Sequence, residues 1–320
     1  MYAFYFLFGT AASWILLWRT IPLLRRRLLD QPNARSSHRV PTPRGGGIAF
    51  VSVSTLVLIF ASLCDNSPLI RLPLLAFPLA VVGLLDDRYN LPASWRYIVQ
   101  ILTAISILTL SPLVRSLFYP WILAGVLFLI IVTGIINFIN FMDGLDGLVA
   151  GSMIIAISAS LFQLHAPSST WILPGALLGF LFWNWSPAHV FMGDSGSTFL
   201  GAIFAGLVLQ APTWSDALSL LCISTPLLAD ACFCVIRRAF SGQPIFQAHR
   251  LHLFQRLHQA GWHHQSVSFL YIVATLVLAL ASCFGGSIYV LPLAVLVLLI
   301  GVCLDRFVAV PFSVSFAPSD

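Results

Sequence analysis

Lysine and glutamate are both missing from this chain of 320 residues, whose 16 basic side chains are all Arg and whose 11 acidic ones are all Asp. Without Lys there is no Gly-Lys-Ser/Thr, so the glycine run that follows Arg44 is not a Walker A phosphate loop. The absence of Glu has no physical explanation. Charge is scarce as well, at 8% of residues, against about a quarter in a soluble domain, and this excludes a soluble fold. No CxxC pair occurs, and the Cys lie mostly in apolar segments (Cys222, Cys232, Cys234, Cys283, Cys303), where inert buried thiols are expected. The N-terminal "MYAFYFLFGTAASWILLW" lacks a basic n-region and an A-x-A site, so it reads as an uncleaved first span. Nor is there an internal repeat of the kind that marks many transporters.

What the chain does have is apolar length. It is 59% hydrophobic, with a mean hydropathy of +0.94, and runs long enough to cross a bilayer (roughly 20 residues each) recur throughout. The expected fold is an all-α polytopic integral membrane protein, residues 1–320 forming a single transmembrane domain of about eleven helices. The spans are expected near 2–24, 48–63, 69–85, 96–110, 121–138, 148–164, 171–184, 198–211, 216–236, 267–284 and 288–304. The loops between them fall into two sets. Thirteen Arg belong to or border the set 25–47, 86–95, 137–147, 185–197, 237–266 and the C-terminal tail, whereas the other set holds only Arg71 and Arg115. The positive-inside rule puts the first set in the cytoplasm, the N-terminus outside and the C-terminus inside.

The acids gather on that same side. Asp86, Asp87, Asp143, Asp146 and Asp194 lie in the cytoplasmic loops, and Asp230 lies about two turns before Arg237. Carboxylates collected at one membrane face are costly and call for a counter-charge: a metal ion, Arg, or both. The adjacent pair Asp86 and Asp87 repel each other, for which a divalent cation on oxygen ligands is the usual remedy. In "NFINFMDGLDGL" (137–148) the Asp-Gly pairs could be simple turn formers. That reading leaves Asn137 and Asn140 unexplained. On a helix, steps of three put Asn137, Asn140 and Asp143 on one stripe, suited to a nucleotide or a hydrated metal.

Three further segments carry chemistry. "FMGDSGS" (191–197) is similar to the nucleophile segment of trypsin-like proteases, but membrane spans separate His38, Asp87 and Ser195. Position 191 is Phe, so the G-x-G-D of intramembrane aspartyl proteases is not formed either. What remains is Asp194 on a glycine turn opening a span, where free N–H groups favour a nearby phosphate. In "HRLH" (249–252), His249 and His252 are expected on one helical face beside Arg250 and Arg256. A zinc site there lacks an obvious third ligand in sequence, and a pyrophosphate suits the two imidazoles and the Arg better. Arg35, His38, Arg39 and Arg44, between Pro and Gly, look like a phosphate or headgroup contact.

With "LLDDRYN" (84–90), "NFINFMDGLDGL", "FMGDSGS", "HRLH" and "PNARSSHRVPTPRGGGIA" (32–49) in order on one face, the chain resembles the polyprenyl-phosphate N-acetylhexosamine-1-phosphate transferases over residues 20 to 265. The resemblance implies transfer of a sugar 1-phosphate from a UDP-sugar to undecaprenyl phosphate with release of UMP, at a cytoplasmic cleft in the bacterial plasma membrane. It implies Mg²⁺, with Mn²⁺ as a substitute, held by Asp194 with Asp86 and Asp87, and Asp86 as base toward the lipid phosphate. Asn137, Asn140, Asp143, Asp146, His249, Arg250, His252, Arg44 and His38 are then expected to bind substrate. The expected partners are membrane lipid and a second copy of the chain in a homodimer, with no nucleic acid. Two departures stand out: Asn90, where many members have a third Asp, and "HRLHLFQ" in place of a triple His. The second points toward O-antigen initiators and away from the peptidoglycan branch, and the donor sugar stays open. The alternatives are a cation-coupled transporter and a non-catalytic scaffold, and direct attack and a two-step route through Asp are both open.

Overall fold

The computed structural model describes residues 1–32, 40–117, 121–243 and 249–312. Thirteen helices are described: α1 (Tyr2–Arg27), α2 (Gly47–Ser62), α3 (Pro68–Tyr89), α4 (Ala93–Leu110), α5 (Pro112–Arg115), α6 (Trp121–Phe141), α7 (Leu148–Gln163), α8 (Ile172–Asn184), α9 (Asp194–Leu209), α10 (Trp214–Ile223), α11 (Thr225–Phe240), α12 (Leu253–Gln259) and α13 (His264–Phe307). Two short antiparallel strands, β1 (Leu29–Asp30) and β2 (Thr42–Pro43), pair Leu29 with Pro43 and Asp30 with Thr42.

The fold is a helical membrane protein. Five of the described helices are long and apolar enough to cross a bilayer, or six if α10 and α11 count as one span. Helices α2, α7 and α9 are apolar but shorter. The segment expected as one span over 216–236 is instead two helices bent by 81°. The break is local chemistry: Ser224 leaves helical geometry, and Pro226 at the start of α11 has no N–H with which to continue the ladder. At the far end, α13 breaks at Gly286, whose φ of 57° is open to glycine and strained for other residues. That break coincides with the expected turn at 285–287.

Helix α9 is the axis of the molecule, and every residue from Ser195 to Leu209 is buried. Small residues let its neighbours approach to backbone contact. A Cβ on Gly83 of α3 would stand 2.5 Å from the Asp194 backbone, and one on Gly201 would stand 2.7 Å from the Cα of Ile136 in α6. Without a hydrophobic drive inside lipid, such close packing is a main source of helix association. The outward faces run the other way: Leu102 of α4, Ile130 of α6 and Leu280 of α13 are exposed, as side chains that meet acyl chains should be. The packing of α3 and α6 on α9 brings residues 86–87, 137–143 and 193–198 to one end of the bundle.

Candidate active site

Gly193 precedes α9 with φ +73°, and a Cβ there would lie 2.3 Å from Asp87 Oδ2. Only glycine therefore lets the loop close over the end of α3. The Asp194 N–H then faces Asp87 Oδ1 at 3.5 Å. Asn140, the next-to-last residue of α6, donates to Asp194 Oδ1 at 3.0 Å and to Ser197 Oγ at 2.8 Å. One of these contacts fixes Asp194 and the other Ser197. Arg96 of α4 reaches Asp86 Oδ2 at 3.0 Å and Asp194 Oδ2 at 3.5 Å.

The two Asp of the DGLDG turn part company. Asp143 faces Asp194: burial pushes its carboxyl up to about 7, the Asp194 charge adds to this, and Arg44 and the Gly193 N–H oppose it. Asp146 turns to the other side of the loop. Its Oδ2 accepts from the Ala188 N–H at 3.2 Å and lies 3.3 Å from His264 Nδ1, and its carbonyl accepts from Ser268 Oγ at 2.7 Å. Burial alone would raise its carboxyl, but His264, Ser186 and the Ala188 N–H leave it below its ordinary value. Arg44 is held over the acids by Asp30 at 2.8 Å, which is the role of the β1–β2 pair.

Opposite this acidic wall stands the segment 249–252. It is not helical, contrary to the expected helical face: α12 starts only at Leu253, with the His252 N–H donating to Gln255 Oε1 at 3.3 Å. Asp230 of α11 anchors it by accepting from the Leu253 N–H at 2.7 Å, the Phe254 N–H at 3.1 Å and the Tyr271 hydroxyl at 2.7 Å. The two rings stack with centroids 4.9 Å apart, but only one carries charge. His252 is buried, which by itself lowers its pKa, yet Asp230 and Cys234 hold its proton to about 9. Burial and the charges of His252 and Arg238 push His249 down to about 3. Arg256, expected beside the imidazoles, is buried and turned away, donating to the Leu251 and Val310 carbonyls and pairing with Asp305.

Between the walls lies a cavity of ≈ 400 Å³ whose lining includes Arg96, Asn137, Asn140, Asp194, His249 and His252. Asn137 lines it but is locked to Gln100, donating at 2.9 Å and accepting at 3.3 Å, while it also donates to the Thr133 carbonyl at 2.7 Å. Asp86, Asp87 and Asp143 gather behind Asp194. Asp146 and Arg250 do not line the cavity, and His38 lies outside the described residues. Arg96, Gln100 and Cys234 were missed as site residues. Arg96 read as ordinary positive-inside charge, and nothing local marks Cys234 as a neighbour of the two His.

The carboxylate cluster fits a hard divalent cation. Asp87 Oδ2 is buried and meets no hydrogen-bond donor among the described residues, and an all-oxygen donor set is what Mg²⁺ prefers. Comparison with known proteins places the chain among similar sequences. The sequence profile of glycosyl transferase family 4 matches residues 69–211. The chain is 31% identical over 266 residues to the probable undecaprenyl-phosphate N-acetylglucosaminyl 1-phosphate transferase of Bacillus subtilis (strain 168), covering 77% of this chain and 74% of the relative. It is also 31% identical over 317 residues to the undecaprenyl-phosphate alpha-N-acetylglucosaminyl 1-phosphate transferase of Yersinia pestis, covering 87% and 84%. The phospho-N-acetylmuramoyl-pentapeptide-transferase of Clostridium acetobutylicum is 27% identical over 295 residues, covering 81% and 91%.

Proposed function

Because the chain belongs to glycosyl transferase family 4, among the polyprenyl-phosphate N-acetylhexosamine-1-phosphate transferases, we propose that it moves an N-acetylhexosamine 1-phosphate from a UDP-sugar onto undecaprenyl phosphate. The observation that carries this reading is the convergence of Asp194, Asn140, Arg96, His249 and His252 on one cleft, with Asp87 and Asp143 behind it. Phosphoryl transfer asks chiefly for positioning and charge neutralisation, and these residues supply both.

A lipid phosphate oxygen attacks the β-phosphorus of the donor, and the bond from that phosphorus to the bridging oxygen breaks. UMP leaves, and the lipid carries a pyrophosphate-linked sugar. Asp86 takes the proton of the lipid phosphate, and Arg96 screens Asp86 and Asp194 from the incoming anion. His252, as an imidazolium, donates to the donor pyrophosphate, while neutral His249 contacts the sugar. Asn140 keeps Asp194 in one orientation. When bound by Asp194 with Asp87 and Asp86, Mg²⁺ or Mn²⁺ would neutralise the pyrophosphate and the departing UMP.

The enzyme sits in the bacterial plasma membrane with eleven spans, the N-terminus outside and the cleft cytoplasmic, so that a soluble nucleotide meets a lipid acceptor. The Arg asymmetry of the loops supports this orientation. The product starts a cell-surface polysaccharide such as O-antigen, and the "HRLHLFQ" segment separates the chain from the peptidoglycan branch. Purified protein with undecaprenyl phosphate, Mg²⁺ and a panel of UDP-sugars tests the reading. UMP release with at least one N-acetylated donor is expected; silence across the panel, beside a working control enzyme, overturns it.

A further inference from the structure

Cys234, on α11, and the pair His249 and His252 are 15 or more residues apart in sequence, yet each offers a ligand atom within 4.8 Å of the other two. The sequence made the two His poor candidates for a metal because no third ligand was visible; the anchoring of the Leu253 and Phe254 N–H groups on Asp230 of α11 brings one alongside. Cys234 is buried. His252 is only 3% exposed, and its Nδ1 has no hydrogen-bond partner among the described residues. That nitrogen faces Asp230 Oδ1 at 3.7 Å, the carboxylate–imidazole arrangement that fixes the ring of a metal-bound His so that the other nitrogen ligates. The contact that a metal would displace at His249 is weak, a 3.3 Å approach of the Leu251 N–H to Nδ1.

We propose that Cys234, His249 and His252 bind Zn²⁺, at a second metal site chemically distinct from the carboxylate cluster across the cleft. One thiolate and two imidazoles are a soft donor set, which selects Zn²⁺ over Mg²⁺. Zn²⁺ displaces the extra proton of His252, so that in the loaded protein the ion takes over the positive charge that the imidazolium carries in the metal-free one, and the Cys234 thiolate and the Asp230 carboxylate together balance it. Bond lengths of about 2.0–2.3 Å draw each ligand atom inward by less than about an ångström. Three protein ligands leave a fourth position open. Both His line the cleft, so that position takes water or an anionic oxygen from the cleft. Only the identity of this oxygen as a donor phosphate rests on the transferase reading; the ion itself does not. The ion also ties the 249–252 segment to α11.

The test uses the full chain in detergent, stripped of metal and loaded with Zn²⁺ or Co²⁺ alone, in the presence of excess Mg²⁺. One tightly held equivalent of Zn²⁺ is expected by elemental analysis, and the Co²⁺ form is expected to show a thiolate-to-cobalt charge-transfer band in the near ultraviolet. Cys234→Ser should abolish that band, and His249→Ala, at a half-buried position, should weaken Zn²⁺ binding by more than about tenfold. Both variants must elute as the wild type does, and Cys222→Ser should keep the band. Absence of bound Zn²⁺ in the wild type, or undiminished affinity in either ligand variant, overturns the site. Because metal content is read rather than UMP, failure here is separable from failure of the transferase reading.

Discussion

The two walls of the cleft are built on different physical terms. On the acidic wall, α3, α6 and α9 close to backbone contact and force carboxylates together: Asp87, Asp143 and Asp194 have few donors and one another's charge. On the facing wall a single buried carboxylate, Asp230, accepts from two backbone N–H groups and a tyrosine hydroxyl and stands beside an imidazolium. One wall stores repulsion that a hard cation relieves; on the other the Asp230 carboxylate is already satisfied by its donors. The same contrast recurs within five residues of chain, between Asp143, which faces Asp194, and Asp146, which is paired with His264 and the Ala188 N–H. Identical Asp-Gly dipeptides thus serve opposite ends, because the turn points one side chain to each side.

The largest expected effect tests the acidic wall directly. Asp194→Asn keeps the shape and removes the charge, so turnover should fall by at least about a hundredfold while the protein still inserts; UMP release from membranes of equal content measures it. Retained activity would remove Asp194 from the metal assignment.

The paired substitutions Asp143→Asn and Asp146→Asn break the comparison inside the turn. Asp146→Asn loses a charge-assisted partner for His264, and its expected cost is about 1–3 kcal/mol of stability, seen as a lower Tm with turnover within about tenfold of wild type. Asp143→Asn should do the reverse, lowering turnover and the response to Mg²⁺ without lowering Tm. Equal behaviour of the two variants would erase the distinction.

A pH series sharpens the same point. In the metal-free protein Asp143 holds its proton up to about 7, against an ordinary value of 3.8. Between those values the folded state binds more protons than the unfolded state, so this group's contribution to stability falls as pH rises through the window. A Mg²⁺ ion held by Asp194 beside it would favour the ionised form of Asp143. The Mg²⁺-induced rise in Tm should therefore be larger at pH 8 than at pH 6, and Asp143→Asn should flatten the difference.

The smallest effect separates the two Asn. Asn140 holds Asp194, whereas Asn137 is bound to Gln100 and Thr133. Asn140→Ala should cost more than about tenfold in turnover, the loss of a bond to a charged group, and Asn137→Ala only a few-fold. Steady-state UMP release under one set of conditions orders them.

The sequence by itself determined the class of fold and the members of the acidic wall. Apolar length follows from composition, and Asp86, Asp87, Asp143 and Asp194 sit in short blocks that read locally, as did the family. Helix limits were legible to within a few residues, except where Ser224 and Pro226 bend one expected span into two and where Leu253, not His249, begins a helix. Tertiary structure alone decided which side chains meet. Asn140 meets Asp194, 54 residues on, because α9 brings that carboxylate within 3.0 Å. Arg256 leaves the cleft because Asp305, from the far end of α13, pairs with it. Cys234 joins two His because Asp230, one turn before it on α11, anchors the following segment through the Leu253 and Phe254 N–H groups. Residues i and i+3 share a face by helical geometry, which a sequence shows; contacts across tens of residues depend on how helices cross, which it does not.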